Sequence, residues 1–499
     1  MPSGLLCLAL SGENDKFLIE NPNITFFKFV YKKTVNFSNE TLELNFNSDI
    51  DFDKTIVCHV SKVTDLISNI YVKFNINKIN NYGENEDFAF VKKLGYALIK
   101  EIQFEVGNNV IETIYTDWLN IWNELNVINT IDSLNELIGN KPDIYNFSKS
   151  KEAISLLVPI NFWFSRNYQL AFPLISIKMQ ELKINLTINS IDNIINIGPT
   201  KKTIIHNDFV LLEEYEIIRQ QYNDIEILGI FLSFDFITKT INYIDIKNTF
   251  YAPSNLNDIK HNIDIDNDNY IIVGEKSKFE FYLSINTYIV DIDKSNNNKI
   301  INQMQITSSL LVDCIYLDNE ERNYYSNNNH NYLINIPQYN YFYDILNNNL
   351  SLKLNFTNLS KELIWVCKLN YLKKFDLFNY TNNYDENKET LIISTFIKNN
   401  YITIASLDSL FISDILYPYY YYSKIPDTGI NLYSFCVNNN KDIQPNGHLN
   451  LIKLTDLKLD LKFKNDKFLI NNEISIIVIN NTYNILKIDN GICSLLFTN

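Results

Sequence analysis

The sequence predicts a predominantly antiparallel β protein, built as sandwiches rather than as a parallel sheet. Three observations carry this. Short runs rich in Ile, Val, Phe, Tyr and Leu recur along all 499 residues, and several alternate apolar with polar side chains. The runs are separated by Asn, Asp and Ser clusters, which build turns. Helical periodicity is confined to a few short segments.

The first clear strand is Thr41–Phe46, where Leu42, Leu44 and Phe46 alternate with Thr41, Glu43 and Asn45. Ile67–Ile76 and Ile99–Val106 follow with β-branched and aromatic residues. Between Ile114 and Leu125 the period changes. Ile114, Trp118, Ile121, Trp122 and Leu125 fall on one face of an amphipathic helix, read as packed on a sandwich. Ile177–Ile188 reads as a strand. The stretch from about Asn189 to Gln305 is Asn/Asp-dense and too long for a plain loop, so it reads as a loop with strands of its own, among them Ile227–Ile237 and Lys278–Val290. A helical turn is expected from Asp318 through Tyr325, joining two sandwiches. Leu350–Phe356 and Leu457–Phe463 are further strands, and Asn379–Lys388 is a second weakly patterned stretch.

Composition excludes several chemistries. Twelve glycines are spread so that no two lie closer than eight positions, whereas a dinucleotide fingerprint or P-loop needs several within six to eight residues. In their place stand 76 asparagines, which tolerate left-handed turn conformations. Arg166, Arg219 and Arg322 are the three arginines, the lysines form nothing longer than pairs, and the net charge is −15. Without a basic stripe, direct nucleic-acid binding is not expected. Cys7, Cys58, Cys314, Cys367, Cys436 and Cys493 form no C-x-x-C pair and read as buried thiols. The apolar patch Leu5–Leu10 lacks a basic flank and is too short for a signal peptide or membrane span; no run of about 18 apolar residues occurs, so a soluble chain without a secretory signal is expected.

Candidate catalytic and metal sites are weak. Asp264, Asp266, Asp268 and Glu275 stand at positions 1, 3, 5 and 12 of a calcium-loop pattern with Asn269 at position 6, but the flanking sequences read as strands rather than helices. Of His59, His206, His261, His330 and His448, only His206-Asn207-Asp208 has the H-x-D form of an iron-binding jelly roll. The acid pairs Glu213-Glu214 and Glu320-Glu321 sit in loop or linker sequence, away from a sugar-cleaving groove. A G-x-S-x-G elbow is absent. Sequons such as Asn23-Ile24-Thr25 and Asn146-Phe147-Ser148 follow from the Asn content. No catalytic, cofactor or metal residue is assigned, and an enzyme is not expected.

Longer strings resemble one family. SGENDKFLIENPNITFFKFVYKKTVNFS (Ser11–Ser38) resembles the opening of the major capsid proteins of large nucleocytoplasmic DNA viruses, carried by Asp15, Leu18, Asn21, Pro22, Ile24, Thr25, Phe26, Phe27, Lys28, Tyr31, Lys32 and Lys33. Val91–Leu125 is similar to the family's strand and helix ending in D-W-x-N-I-W, and Leu156–Leu186 to its V-P-x-x-F-W-F-x-R and L-P-L-I pair. Leu310–Ile334 resembles the inter-domain strand and linker. Glu362–Lys368 and Gly429–Leu454 resemble strands of the second domain, with its Gln-Pro-Ser-Gly turn reading Gln444-Pro445-Asn446-Gly447. The family's basic cluster in the linker is reduced to Arg322, and the 189–305 stretch has no counterpart in the pattern.

The resemblance implies an all-β chain of two tandem eight-stranded jelly rolls with short helices and a long insertion in the first. The expected division is an N-terminal arm (1–24), a first roll (25–317, insertion about 189–305), a linker (318–334) and a second roll (335–499). The implied function is structural: homotrimers forming pseudo-hexagonal capsomers that tile an icosahedral virion shell, assembled in host cytoplasm. The implied partners are neighbouring capsomers, minor capsid or penton proteins through an inward-facing arm, and the inner viral membrane. A minor or vertex paralogue, an assembly scaffold of the same fold and a carbohydrate-binding jelly roll are the alternatives.

Overall fold

A computed structural model describes the chain except at residues 1–2, 11, 30, 81–86, 127–130, 224, 255–267, 293–300, 346–348, 371–375, 382–389, 408–410, 427–428, 438–443, 464–473 and 498–499. Eight principal strands build the first unit: Phe37–Asn45, Thr55–Val60, Leu66–Ile76, Ile99–Val106, Asn109–Tyr115, Ile154–Ile160, Leu182–Ile188 and Ile306–Leu317. One antiparallel sheet takes the first, eighth, third and sixth of these in order, and the other takes the second, seventh, fourth and fifth.

The same order recurs. His330–Ile345, Asn349–Lys353, Leu359–Leu369, Ile392–Asn399, Ile402–Leu407, Ile430–Ser434, Leu457–Phe463 and Ile474–Asp489 form two sheets in the orders first, eighth, third, sixth and second, seventh, fourth, fifth. Two short strands, Leu449–Asn450 and Ile492–Leu495, extend the first of these sheets. The architecture is therefore a double jelly roll.

Hydrophobic pattern explains how the rolls pack. In Leu359–Leu369, Leu363, Trp365, Cys367 and Leu369 face the second roll's own core, while Ile364 and Val366 join the core of the first roll. Ile474–Asp489 divides likewise, with Ile476 and Val478 inward and Ile477 and Ile479 toward the first roll. A strand covered on both faces reads as a continuous apolar run. In the first roll, Phe104 meets Phe162 and Trp163 edge-on at 5.5 and 5.0 Å, which is the packing role of the F-W-F string.

Asparagine supplies left-handed turns as expected: eight of the thirteen described non-glycine residues with positive φ are Asn. The amphipathic segment forms a helix over Thr116–Asn126 with Trp118, Ile121 and Leu125 fully buried. The linker helix spans Asn319–Asn327, capped by the Asp318 carboxylate, which accepts from the Glu320 and Glu321 amides at 3.1 Å. Three strand expectations shorten by three residues or more, and Ile227–Ile237 and Thr41–Phe46 lose only their last two and last one. Ile177–Ile188 pairs only from Leu182, because Lys178 and Met179 donate their amides to Gly491 O instead. Lys278–Val290 keeps only Glu280–Phe281 and Val290 in strands, with left-handed Lys278 and Asn286 breaking the run. Leu350–Phe356 stops at Lys353. Asn379–Lys388 lies outside the described residues beyond Thr381.

The insertion is a folded layer. Strands Lys201–Ile204, Ile217–Tyr222, Ile225–Asp235, Thr240–Lys247, Ile272–Gly274, Glu280–Phe281 and Val290–Asp291 make one antiparallel sheet. One of its faces buries Ile227, Phe231, Phe250 and Phe281 under its own loops. The other packs Leu228, Ile230, Leu232 and Ile244 on Ala89 and Phe147 of the first roll. Alternating strand directions put the connections after the first, third, fifth and seventh strands at one end of the roll. The insertion follows the seventh strand, whereas the chain start and the linker leave from the opposite end.

Candidate functional site: the seam between the rolls

Three polar clusters close the seam. Arg166, following the F-W-F turn, donates to Glu112 Oε1 at 3.1 Å and to Asn161 O, and reaches Asn335 O of the second roll at 3.0 Å. Its guanidinium lies 4.4 Å from the Trp122 ring centroid, on the amphipathic helix. Glu112 is completely buried and also accepts the Trp163 amide at 3.0 Å. Burial pushes its carboxyl up to about 7, against the pull of Arg166 and that amide.

Glu124, at the end of the same helix, holds Lys93 and Lys424 at 2.8 Å each, one from either roll. Burial acts to raise its carboxyl, yet the two ammonium groups outweigh it and hold it at about 2. Asp117 on the helix pairs with Lys368 and accepts the Tyr380 hydroxyl at 3.1 Å. A cavity of about 220 Å³ lies between these clusters, lined by Lys92, Lys93, Asn120, Glu124, Asp376 and Tyr380. Lys92 and Asp376 lie 3.4 Å apart across it. At the opposite end, the Cys493 amide donates to Gln180 Oε1 at 2.6 Å and the Ser176 hydroxyl to Tyr325 O at 2.7 Å. The arrangement binds two rolls into one block; it presents charges already matched within the chain.

The residues singled out in the sequence are not brought together. Asp264 and Asp266 lie outside the described residues, Asp268 opens a short 3-10 turn, and Glu275 is 2.5 Å from Arg219. His206 donates its amide to Tyr282 O, Asn207 Oδ1 accepts the Tyr282 amide, and Asp208 pairs with Lys239. Glu213 and Glu214 are exposed on a loop, and Glu320 and Glu321 form the first turn of the linker helix. Among the described residues no group of three metal-ligating side chains occurs and no helix is long and apolar enough to cross a membrane. Cys58, Cys314, Cys367, Cys436 and Cys493 are buried free thiols. Sequence reasoning missed Glu112, Glu124, Lys93 and Lys424 as seam residues; the scarcity of arginine was the available signal for Arg166.

Ahead of Phe37 the chain carries helices Ser3–Ala9 and Glu13–Ile19, followed by residues outside helix and strand. Phe26, Phe27 and Phe29 are 90%, 97% and 89% exposed, and Lys28, Lys32 and Lys33 beside them are exposed too. So large an apolar display on a single chain marks a contact surface.

Known proteins are similar to this chain in sequence and fold. The sequence model for "Major capsid protein N-terminus" matches residues 25–216, so it reaches into the start of the expected insertion. That for "Large eukaryotic DNA virus major capsid protein" matches 321–494. Probable capsid protein 4 of Acanthamoeba polyphaga mimivirus is 31% identical over 523 aligned residues, covering 100% of this chain and 99% of that protein, insertion included. The major capsid protein of Pyramimonas orientalis virus is 36% identical over 190 residues, 37% of this chain and 46% of that one. Among solved structures, the Faustovirus major capsid protein superposes with a TM-score of 0.66 at 11% identity, covering 98% of this chain and 97% of its own. These relatives are structural shell proteins rather than enzymes. The chain belongs to the major capsid protein family of large eukaryotic DNA viruses, as a structural component of the virion.

Proposed function

We propose that three copies of this chain associate into a pseudo-hexagonal capsomer and that such capsomers tile an icosahedral shell. The observation that carries this reading is the repeated strand order in two rolls locked side by side. Three copies of a two-lobed block present six nearly equivalent edges, so one gene product can fill a hexagonal lattice. In this reading the chain divides into an arm (1–24), a first roll (25–317), a linker (318–334) and a second roll (335–499). The placement of insertion and chain start at opposite ends of the first roll supports an outward insertion and an inward arm. The exposed aromatics and lysines of residues 26–33, which directly follow the arm, support a contact of this end of the chain with minor capsid or penton proteins or the inner viral membrane. Assembly takes place in host cytoplasm.

Light scattering on the purified chain tests the trimer, with a stable monomer as the overturning result. Counting copies per purified virion distinguishes the dominant shell protein, which makes up most of the protein mass, from a minor or vertex paralogue. Normal shell closure after deletion of residues 1–20 would remove the arm's role. An insertion buried between trimer mates would overturn its outward placement.

A further inference from the structure

The connection between the fifth and sixth strands of the second roll carries a helical ledge whose polarity is reversed. Phe411–Leu416 forms a π-helical turn and Tyr417–Tyr421 continues it as α-helix. A surface helix ordinarily turns its polar face to solvent. Here the polar groups point inward: Asp414 is buried and accepts the Gly429 amide at 3.1 Å, and the Ser413 hydroxyl donates to Asn431 Oδ1 at 2.9 Å. Tyr417 stacks on Tyr421 and packs on Tyr433, with ring centroids 5.6 and 5.3 Å apart. Turned outward instead are Ile415, Leu416, Tyr419 and Tyr420, two pairs spaced four residues apart, with Tyr419 and Tyr420 65% and 71% exposed.

The underside of the ledge is fixed to both rolls. The Tyr422 hydroxyl donates to buried Glu362 at 2.5 Å, the Lys424 amide donates to Leu125 O at 3.1 Å, and the Lys424 ammonium is held by Glu124. A rigid aromatic surface of this kind loses little side-chain freedom on binding, and tyrosine is enriched where interfaces concentrate their energy.

Charge indicates the occupant. Every copy of the chain carries −15, so copies approach with least repulsion where neither presents charge. The outward face of the ledge has no ionisable carboxylate or ammonium, and Lys424, the next lysine along the chain, is matched by Glu124. Among the described residues of the ledge a basic partner finds no exposed acid, and an acidic one no lysine. We infer that this ledge is the surface by which one copy seats against the next; the inference rests on the trimeric reading above. The contact is heterologous, the ledge of one copy meeting a different surface of its neighbour, as a closed ring of three requires.

The test compares the full-length chain with a Tyr419→Ser/Tyr420→Ser variant and with Tyr401→Ser, which alters a fully exposed tyrosine at the opposite end of the same roll. Light scattering across a dilution series measures mass, and circular dichroism with urea melting checks the fold. The expected result is a trimeric wild type and Tyr401→Ser, with the ledge variant folded but dissociating at concentrations about tenfold higher or more. A folded ledge variant that dissociates with the wild type overturns the ledge while leaving the trimer standing. A wild-type chain that stays monomeric overturns both.

Discussion

Each of the three arginines joins parts of the chain that are far apart in sequence. Arg166 ties Glu112 to the second roll, Arg219 bridges Glu226 and Glu275 in the insertion, and Arg322 of the linker helix pairs with Asp65 of the first roll at 3.0 Å. A planar fork suits such bridging better than a lysine does. Replacing Arg166 with Met leaves Glu112 buried beside unpaired carbonyls, and urea unfolding is expected to show a loss of about 3–5 kcal/mol. The pH dependence has a definite sign. Glu112 titrates near 7 when folded against 4.5 as its ordinary value, so the folded chain holds the proton more tightly. Its contribution to stability is fully present below the unfolded value and is lost as pH rises through about 7. Between pH 5 and pH 8 the wild type should lose about 2–3 kcal/mol more than Glu112→Gln; equal losses would show that Glu112 does not titrate there. Gly429 is the other single-residue constraint. Its φ is +103°, and an added Cβ would run into the Tyr380 carbonyl. Gly429→Ala is expected to lower stability by about 2 kcal/mol, measured by thermal melting, through both backbone strain and displacement of Tyr380 from the seam.

Strands and helices differ in how openly the sequence announced them. Ile99–Val106 and Leu457–Phe463 were legible to the residue, because each has one clear alternating pattern along its length. The Trp118–Leu125 face was legible as a buried helical face, but which surface covers it was not: its far side packs against a roll that begins two hundred residues later. The insertion was legible as strands within a long loop, while its role as a two-faced layer depends on Ala89 and Phe147 lying beneath it. This layering has a consequence for local stability. Phe281 is fully buried in the insertion's own cluster, so Phe281→Ala should cost about 3–5 kcal/mol there. Hydrogen exchange should rise in the insertion strands while the strands of both rolls keep their protection. Equal loss in the rolls would mean that the insertion and rolls unfold as one unit.

At the scale of the molecule, buried apolar surface and charge have separate tasks. The block is closed internally by apolar burial and by ion pairs matched across the seam. Outside it remains a net −15 per chain, or about −45 for three copies, screened beyond about 8 Å at physiological salt. Contacts between capsomers are therefore expected to be polar and to strengthen as salt or divalent ions are added. Sedimentation of purified trimers across a salt series checks this; tighter association at low ionic strength would contradict it. An uncharged ledge within the trimer and a charged exterior between trimers would then respond differently to the same salt series.

By itself the sequence determined the fold class, the absence of phosphate loops, the asparagine-built turns and the family, because each depends on local pattern or on strings that can be compared directly. An Asn-rich, Arg-poor composition is also what an AT-rich coding genome supplies, and eight left-handed asparagines show that the turns were built from it. Tertiary structure decided the rest. Glu112 and Arg166 are 54 residues apart, and Lys424 stands 300 residues from Glu124. No local spacing predicts such pairs, because a strand's partners are set by sheet order rather than by distance along the chain. The same reason governs the ledge: its apolar stripe reads as ordinary core until the fold turns the other face inward and leaves this one bare.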